Sequence, residues 1–235
     1  MILHEYHAAQ VVLGYRVGIP LGHVAYNAKE AFAVARKFGS DYDRKFVVKA
    51  QVQATGRTRG HFLENNFEGG IHTVESPHEV AEVAEKMCGK KFVNKHTGPQ
   101  GYLCNCVYIM EELDIDKEIY LSISLDEKKG MPVVTYSKHG GQALNRIQAL
   151  HPADIFELHI DQTKTIDIKE LLVIGENLGI AARAHTLSFL VKNLFECFEQ
   201  RDCENITINP LIYTKQKKFL AANPRITIDP RSHYR

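Results

Sequence analysis

Two spacings of apolar residues alternate along this chain. Leu187, Leu190, Leu194 and Phe198 recur every three or four positions between Arg183 and Glu199, and Val80, Val83 and Met87 do the same in HEVAEVAEKM. That spacing lines up side chains on one face of a helix, and an apolar face of this kind reads as core packing, not as a cofactor box. Cap residues place the helix ends. Asn27 with Glu30 opens AKEAFAVARKF, which closes at Gly39; Ser76-Pro77 with Glu79 opens HEVAEVAEKM, ended by Gly89; Asp167 with Glu170 opens LLVIGENL, ended by Gly179. Between the helices lie β-rich runs: KFVVKAQV, NCVYIM, EIYLSISL, PVVTYS, NITINPLIY and KFLAA. EIYLSISL and PVVTYS flank DEKKGM as a hairpin, and LIYTKQKKFLAA reads as a second one. Helices mixed with antiparallel hairpins predict an α+β fold rather than a doubly wound parallel sheet.

A turn-rich stretch, HTGPQG at 96–101, suggests a boundary between two groupings of elements. The expected organisation is one domain over 1–235, with a smaller lobe at 20–102 and a larger lobe made of 1–19 and 103–235.

Composition narrows the function classes. A formal net charge of +1 over 235 residues gives no electrostatic reason to expect nucleic acid or a membrane surface as partner. No apolar run approaches the roughly 20 residues of a membrane-spanning helix. The N-terminus, MILHEYHAAQ, lacks a secretory signal, so an imported form would already have lost its targeting segment. Five cysteines form no metal pattern, and their odd number argues against a disulfide framework. Cys104 and Cys106 read as two core-facing positions of one strand. Reduced thiols suit the cytosol or the mitochondrial matrix.

Chemistry-bearing residues are few. In VVKAQVQATGRTRG a β-branched run delivers Lys49 to a short loop holding Gly56 and Arg57. A lysine leaving a strand beside a glycine turn can hold phosphate oxygens, although the same residues also suit a solvated basic loop. Glu111 and Glu118 stand at strand ends, where carboxylates can hold a nucleoside or a metal, or simply face water. Asn209 and Asn223 fall on hairpin partners and could share an oxygen-ligated Mg²⁺, but neither carries the charge that such an ion normally requires. His4 and His7 lie three apart on the first predicted helix with no third ligand, and His139 precedes Gly140-Gly141 in a turn.

Taken in order, these segments resemble the N-terminal ATP-grasp region of the succinyl-CoA synthetase β subunit, in its mitochondrial form. LHEYHAAQVV resembles that family's opening helix and VVKAQVQATGRTRG its KAQV-x-A-G-G-R-G-K segment. GKKFVNKHTGPQG, SKHGG and TINPLIYTK resemble its GKK…K-x-TG, S-x-HGG and EINPLV segments. The resemblance implies an ATP-grasp fold with nucleotide in a cleft between two lobes. It implies phosphate contacts at Lys49, Gly56 and Arg57, and nucleoside contacts at Glu111 and Glu118. It also implies ATP or GTP with Mg²⁺ as cofactor, and an α subunit, carrying a phosphorylated histidine, as partner.

The departures fall on the chemistry. The family's Gly-Gly-Arg-Gly is Thr55-Gly56-Arg57-Thr58; the acid of EINP, which serves the phosphohistidine step, is Thr207; the metal aspartate falls on Asn223; and Gln142-Ala143-Leu144-Asn145-Arg146 replaces the acids after S-x-HGG. The family's C-terminal ligase domain is not present in these 235 residues. The expectation is therefore a degenerate, catalytically inactive β-like protein, with Asn209 and Asn223 as a degraded metal pair and no confident catalytic residue. It would serve as an accessory subunit of a larger mitochondrial complex, in the matrix or facing it, with or without a bound cofactor. The alternatives are an active succinate–CoA ligase β subunit, in the matrix or the cytoplasm, and a nucleotide sensor using Lys49, Arg57, Glu111 and Glu118.

Overall fold

The computed structural model describes residues 1–38, 45–164 and 166–232. Its first helix, α1, spans Glu5–Gly14. The chain then forms β1 (Gly22–Ala25), α2 (Ala28–Lys37), β2 (Phe46–Ala50), β3 (His61–Phe62), β4 (Ile71–Val74), α3 (Pro77–Met87), β5 (Lys90–Val93), β6 (Tyr102–Cys104) and β7 (Val107–Glu111). It continues through β8 (Ile115–Asp126), β9 (Met131–Ser137), α4 (Leu144–Leu150), β10 (Ile155–His159), α5 (Ile168–Asn177), α6 (Ala184–Gln200), β11 (Cys203–Thr214), β12 (Phe219–Ala221) and β13 (Pro224–Ile228). Every strand pair among the described residues is antiparallel, as the α+β reading expects.

Contacts divide the chain into two compact units: His4–Tyr6 with Pro20–Leu113, and Met1–Leu3 with His7–Ile19 and Asp114–Arg235. The smaller unit contains a four-stranded sheet in the order β1-β7-β2-β4 and a three-stranded sheet in the order β3-β5-β6. Tyr102–Glu111, which the sequence reading assigned mostly to the larger lobe, here supplies a strand to each of these sheets. Along β2, Phe46, Val48 and Ala50 alternate into a core with Val80, Met87, Phe92 and Ile109, which sends Val47 and Lys49 to the opposite face.

The helix caps form as the sequence predicts. Ser76 Oγ accepts from Glu79 N (3.2 Å) while Glu79 Oε2 accepts from Glu75 N (3.0 Å). Asn27 Oδ1 accepts from Glu30 N (2.9 Å). Gly89 follows α3 at φ +75°, a left-handed turn that favours glycine. Gly39, expected to close α2, lies outside the described residues.

The larger unit has one six-stranded sheet in the order β10-β9-β8-β11-β12, with β13 also paired to β11. β11 is long enough to pair with β13 through Cys203–Ile208 and with β12 through Leu211–Tyr213. The apolar faces of α5 and α6 (Leu171, Ile174, Leu187, Val191, Leu194) join Ile119, Leu121, Ile206 and Leu211 in its core. Among the described residues no helix is long and apolar enough to cross a membrane.

Two local expectations change. His4 precedes α1 instead of lying on it. Cys104 ends β6 and Cys106 precedes β7, so the chain passes from one sheet to another between them, although both thiols are buried. Asn209 sits inside β11, where the pairing register to β8 shifts between Ile208 and Leu211.

Candidate functional site

In the smaller unit, β2 carries Lys49 to a position where only 7% of its surface is exposed. An ammonium so placed needs a counter-charge, and Glu5, the first residue of α1, supplies it: Glu5 Oε1 lies 2.8 Å from Lys49 Nζ. The other oxygen of Glu5 takes the Arg57 guanidinium, whose second terminal nitrogen donates to Ala50 O at 2.8 Å. Burial by itself would raise the Glu5 carboxyl, but the two cations outweigh it and hold that carboxyl below the usual glutamate range. Burial, followed by the repulsion of Arg57, pushes Lys49 down. One carboxylate thus neutralises half of the cationic charge expected to meet phosphate.

The loop between these residues is braced. Gly56 adopts φ +67°, and Asn94 Nδ2 donates to Thr55 O at 2.9 Å and to Gly56 O at 3.3 Å. Thr55 and Thr58 are both exposed, so their side chains project from the loop surface. Glu111, at the end of β7, accepts from Leu21 N at 3.2 Å through Oε1, while its own N–H donates to Leu21 O at 3.1 Å. Its carboxylate secures the lead into β1.

The larger unit holds the remaining candidates. Glu118 lies on β8 opposite Ile212 of β11. Gly140 N donates to Glu118 O at 3.0 Å, and a Cβ at Gly140 would stand 2.5 Å from the Glu118 carbonyl carbon and Ile119 N. A Cβ at Gly141 would meet Glu118 Oε2 at 2.8 Å. Gly140 is thus required by its approach to the β8 backbone, and Gly141 by its left-handed φ of +74°. Asn209 fastens the same turn: its Oδ1 accepts from Gly141 N and its Nδ2 donates to Gln142 O, both at 2.7 Å. Asn223 Nδ2 donates to Asn209 O at 2.9 Å, and Asn209 N to Asn223 O at 3.3 Å. Thr207 donates through Oγ1 to Asn205 Oδ1 at 2.7 Å. Beside Glu118 and Gly140 is a cavity of about 650 Å³, whose lining also includes Asp116, Lys117, Lys138 and His139.

The structure therefore brings Lys49 and Arg57 together around Glu5, and separately Glu118, Asn209 and Asn223 around the Gly140-Gly141 turn. The donor set does not fit Mg²⁺. The two metal-candidate positions offer amide oxygens alone, Asn209 is committed to Gly141 and Gln142, and Asn223 turns its Nδ2 onto a backbone carbonyl. Sequence reasoning did not single out Glu5, which lies 44 residues from Lys49. The only signal for it was an acid in the first turn of the opening helix, which also serves the helix dipole.

The family model of the ATP-grasp domain matches residues 2–213. The chain is 33% identical to the β subunit of ADP-forming succinate–CoA ligase from Acidiphilium cryptum, covering 100% of this chain and 59% of that protein. It is 32% identical to the mitochondrial β subunit from Neurospora crassa, covering 99% and 52%. The chain thus spans a little over half the length of these relatives. Among solved structures, ATP citrate lyase from Methanothrix soehngenii superposes with a TM-score of 0.70 at 13% identity, over 99% of this chain and 52% of that one. The dinucleotide-forming acetyl-coenzyme A synthetase 1 of Ca. Korarchaeum cryptofilum superposes with a TM-score of 0.68 at 13% identity, over 97% and 93%. These likenesses extend to the fold. The chain belongs to the ATP-grasp domain family, and it resembles the N-terminal part of succinate–CoA ligase β subunits over its whole length.

Proposed function

We propose that this chain is a succinate–CoA ligase β-type ATP-grasp domain that keeps its fold without carrying out phosphoryl transfer, and that it serves as a structural or accessory subunit. The observation that carries this reading is the Asn209–Asn223 pair. At the positions where the resemblance places an asparagine and an aspartate around Mg²⁺, two neutral amides instead tie β11, the Gly140-Gly141 turn and the residue just before β13 to one another. Losing a carboxylate there removes a full charge from the largest electrostatic interaction such a site has, and Thr207 replaces the acid expected two residues earlier. Removing one contact that stabilises a transition state commonly costs about 3 kcal/mol, so several losses together leave little rate. In the smaller unit, a phosphate would compete with Glu5 for Lys49 and Arg57.

Its partners are other protein subunits, an α-like subunit or a larger mitochondrial assembly. A mitochondrial relative and reduced cysteines favour the matrix as its compartment, with the cytoplasm as the alternative.

A second reading, nucleotide binding without turnover through Lys49, Arg57, Glu111 and Glu118, draws support from the cavity beside Glu118 and its lysines. Thermal unfolding with MgATP and MgGTP separates the two. A ligand at 100 times its dissociation constant adds about 2.7 kcal/mol of stability. A scaffold shows no shift, whereas a sensor shows one that Lys49→Ala abolishes.

A further inference from the structure

We propose that His139, His151 and Asp154 form a binding site for one divalent transition-metal ion of the zinc class, separate from the Asn209–Asn223 pair. Among the described residues this is the one cluster of three or more histidine, cysteine, aspartate or glutamate donors close enough to share an ion. One ligand atom from each residue lies within 4.8 Å of the others, and all three residues are half-buried.

The donors are held on short, well-fixed pieces of chain. His151 caps the end of α4 and its N–H donates to Ile147 O at 2.7 Å. Pro152 then opens a single 3₁₀ turn, in which Asp154 N donates to His151 O at 3.0 Å, so the spacing of these two ligands is set by backbone. His139 follows β9, with its N–H on Ser137 Oγ at 3.3 Å.

The rings of His139 and His151 stack at 4.0 Å with planes 13° apart. An imidazole offers a metal the in-plane lone pair of a ring nitrogen, so one of these two rings must turn out of the stack for both to reach a shared ion. His139 Nε2 is 2.7 Å from Asp154 Oδ2. Ligands on a tetrahedral zinc with bonds near 2.0–2.1 Å stand about 3.3 Å apart, so the ring and carboxylate need to part by roughly half an ångström. Side-chain exposures of 23% and 27% leave room for that movement. Lys138 Nζ holds the other carboxylate oxygen, Oδ1, at 2.9 Å, which orients Asp154 and leaves Oδ2 for the ion.

Two imidazoles with one carboxylate suit zinc, cobalt, nickel or ferrous ions, whereas Mg²⁺ and Ca²⁺ take oxygen ligands. Three protein ligands leave at least one coordination position for water or another donor. His139 also lines the cavity beside Glu118, so the ion would border that space.

The test is calorimetric titration of the full chain with Zn²⁺, in parallel with Co²⁺ followed by visible absorption. The expected result is one ion per chain, unaffected by excess Mg²⁺, with affinity weakened at least about tenfold by His151→Ala, His139→Ala or Asp154→Asn. His159→Ala serves as control, because His159 pairs with Asp126 at 2.8 Å in a similar way but belongs, among the described residues, to no three-donor group. It should leave the stoichiometry and affinity unchanged. If His151→Ala disturbs folding, Asp154→Asn, which keeps the side-chain shape, decides. Absence of stoichiometric binding, or binding that survives all three substitutions, overturns the proposal.

Discussion

Glu5 and Lys49 lie 2.8 Å apart, each with only 7% of its surface exposed, and Arg57 closes on the other oxygen of the same carboxylate. A helix start and a central strand are thereby joined by charge within the smaller unit. Removing one member of a buried pair leaves the rest uncompensated, which costs about 3–5 kcal/mol. Glu5→Gln should therefore lower unfolding free energy at neutral pH by about that amount, read as a reduced denaturant midpoint. A change below about 1 kcal/mol would show that Lys49 and Arg57 find other counter-charges.

The same carboxylate predicts a pH dependence. Its pKa in the folded protein is below the ordinary value of 4.5. A depressed acid stabilises the fold fully above its unfolded pKa, and that contribution fades as pH falls from about 4.5 toward the folded value. The wild-type advantage over Glu5→Gln should thus be complete at pH 7 and shrink progressively as pH falls below about 4.5. An advantage that stays constant across this window would contradict the assignment.

Gly140 and Gly14 form a contrasting pair. A Cβ at Gly140 meets β8 backbone at 2.5 Å, while a Cβ at Gly14 meets nothing within 4 Å. Gly140→Ala should cost about 1–3 kcal/mol, because neither backbone atom can yield. Gly14→Ala, at the end of α1, should be neutral or stabilising by up to about 1 kcal/mol. Thermal denaturation of the two variants side by side checks both signs.

Asn223→Asp should not be silent either. The amide that donates to Asn209 O becomes an oxygen facing a carbonyl, at a cost of about 1–3 kcal/mol. Combined with Thr207→Glu, it should give the chain a Mn²⁺ affinity, detected by paramagnetic resonance, that the wild type lacks at this position. A wild-type site of equal affinity, sensitive to Asn209→Ala, would mean that the amides suffice.

Much of the framework was legible because its signals are local. The caps at Ser76 and Asn27, the apolar face of α6 and the β8–β9 hairpin each depend on residues within a few positions of one another. Short strands such as β1, β4, β10 and β13 escaped notice, since four or five partly exposed residues such as IHTV or IFELH carry little alternation. The candidate residues were legible by type but not by partner. Glu5 meets Lys49 across 44 residues, and Asn209 meets Gly141 across 68. Only sheet topology brings such positions together. Cys104 and Cys106 show the converse, as adjacency in sequence implied one strand where the chain changes sheets.

The central claim, a retained ATP-grasp fold without phosphoryl transfer, is tested most directly by turnover. The protein isolated with its co-purifying chains, and separately combined with a succinate–CoA ligase α subunit, is assayed for succinate- and CoA-dependent release of ADP or GDP. The prediction is no nucleotide release above background in either preparation. Turnover of roughly 1 s⁻¹ or more, abolished by Lys49→Ala, would contradict it.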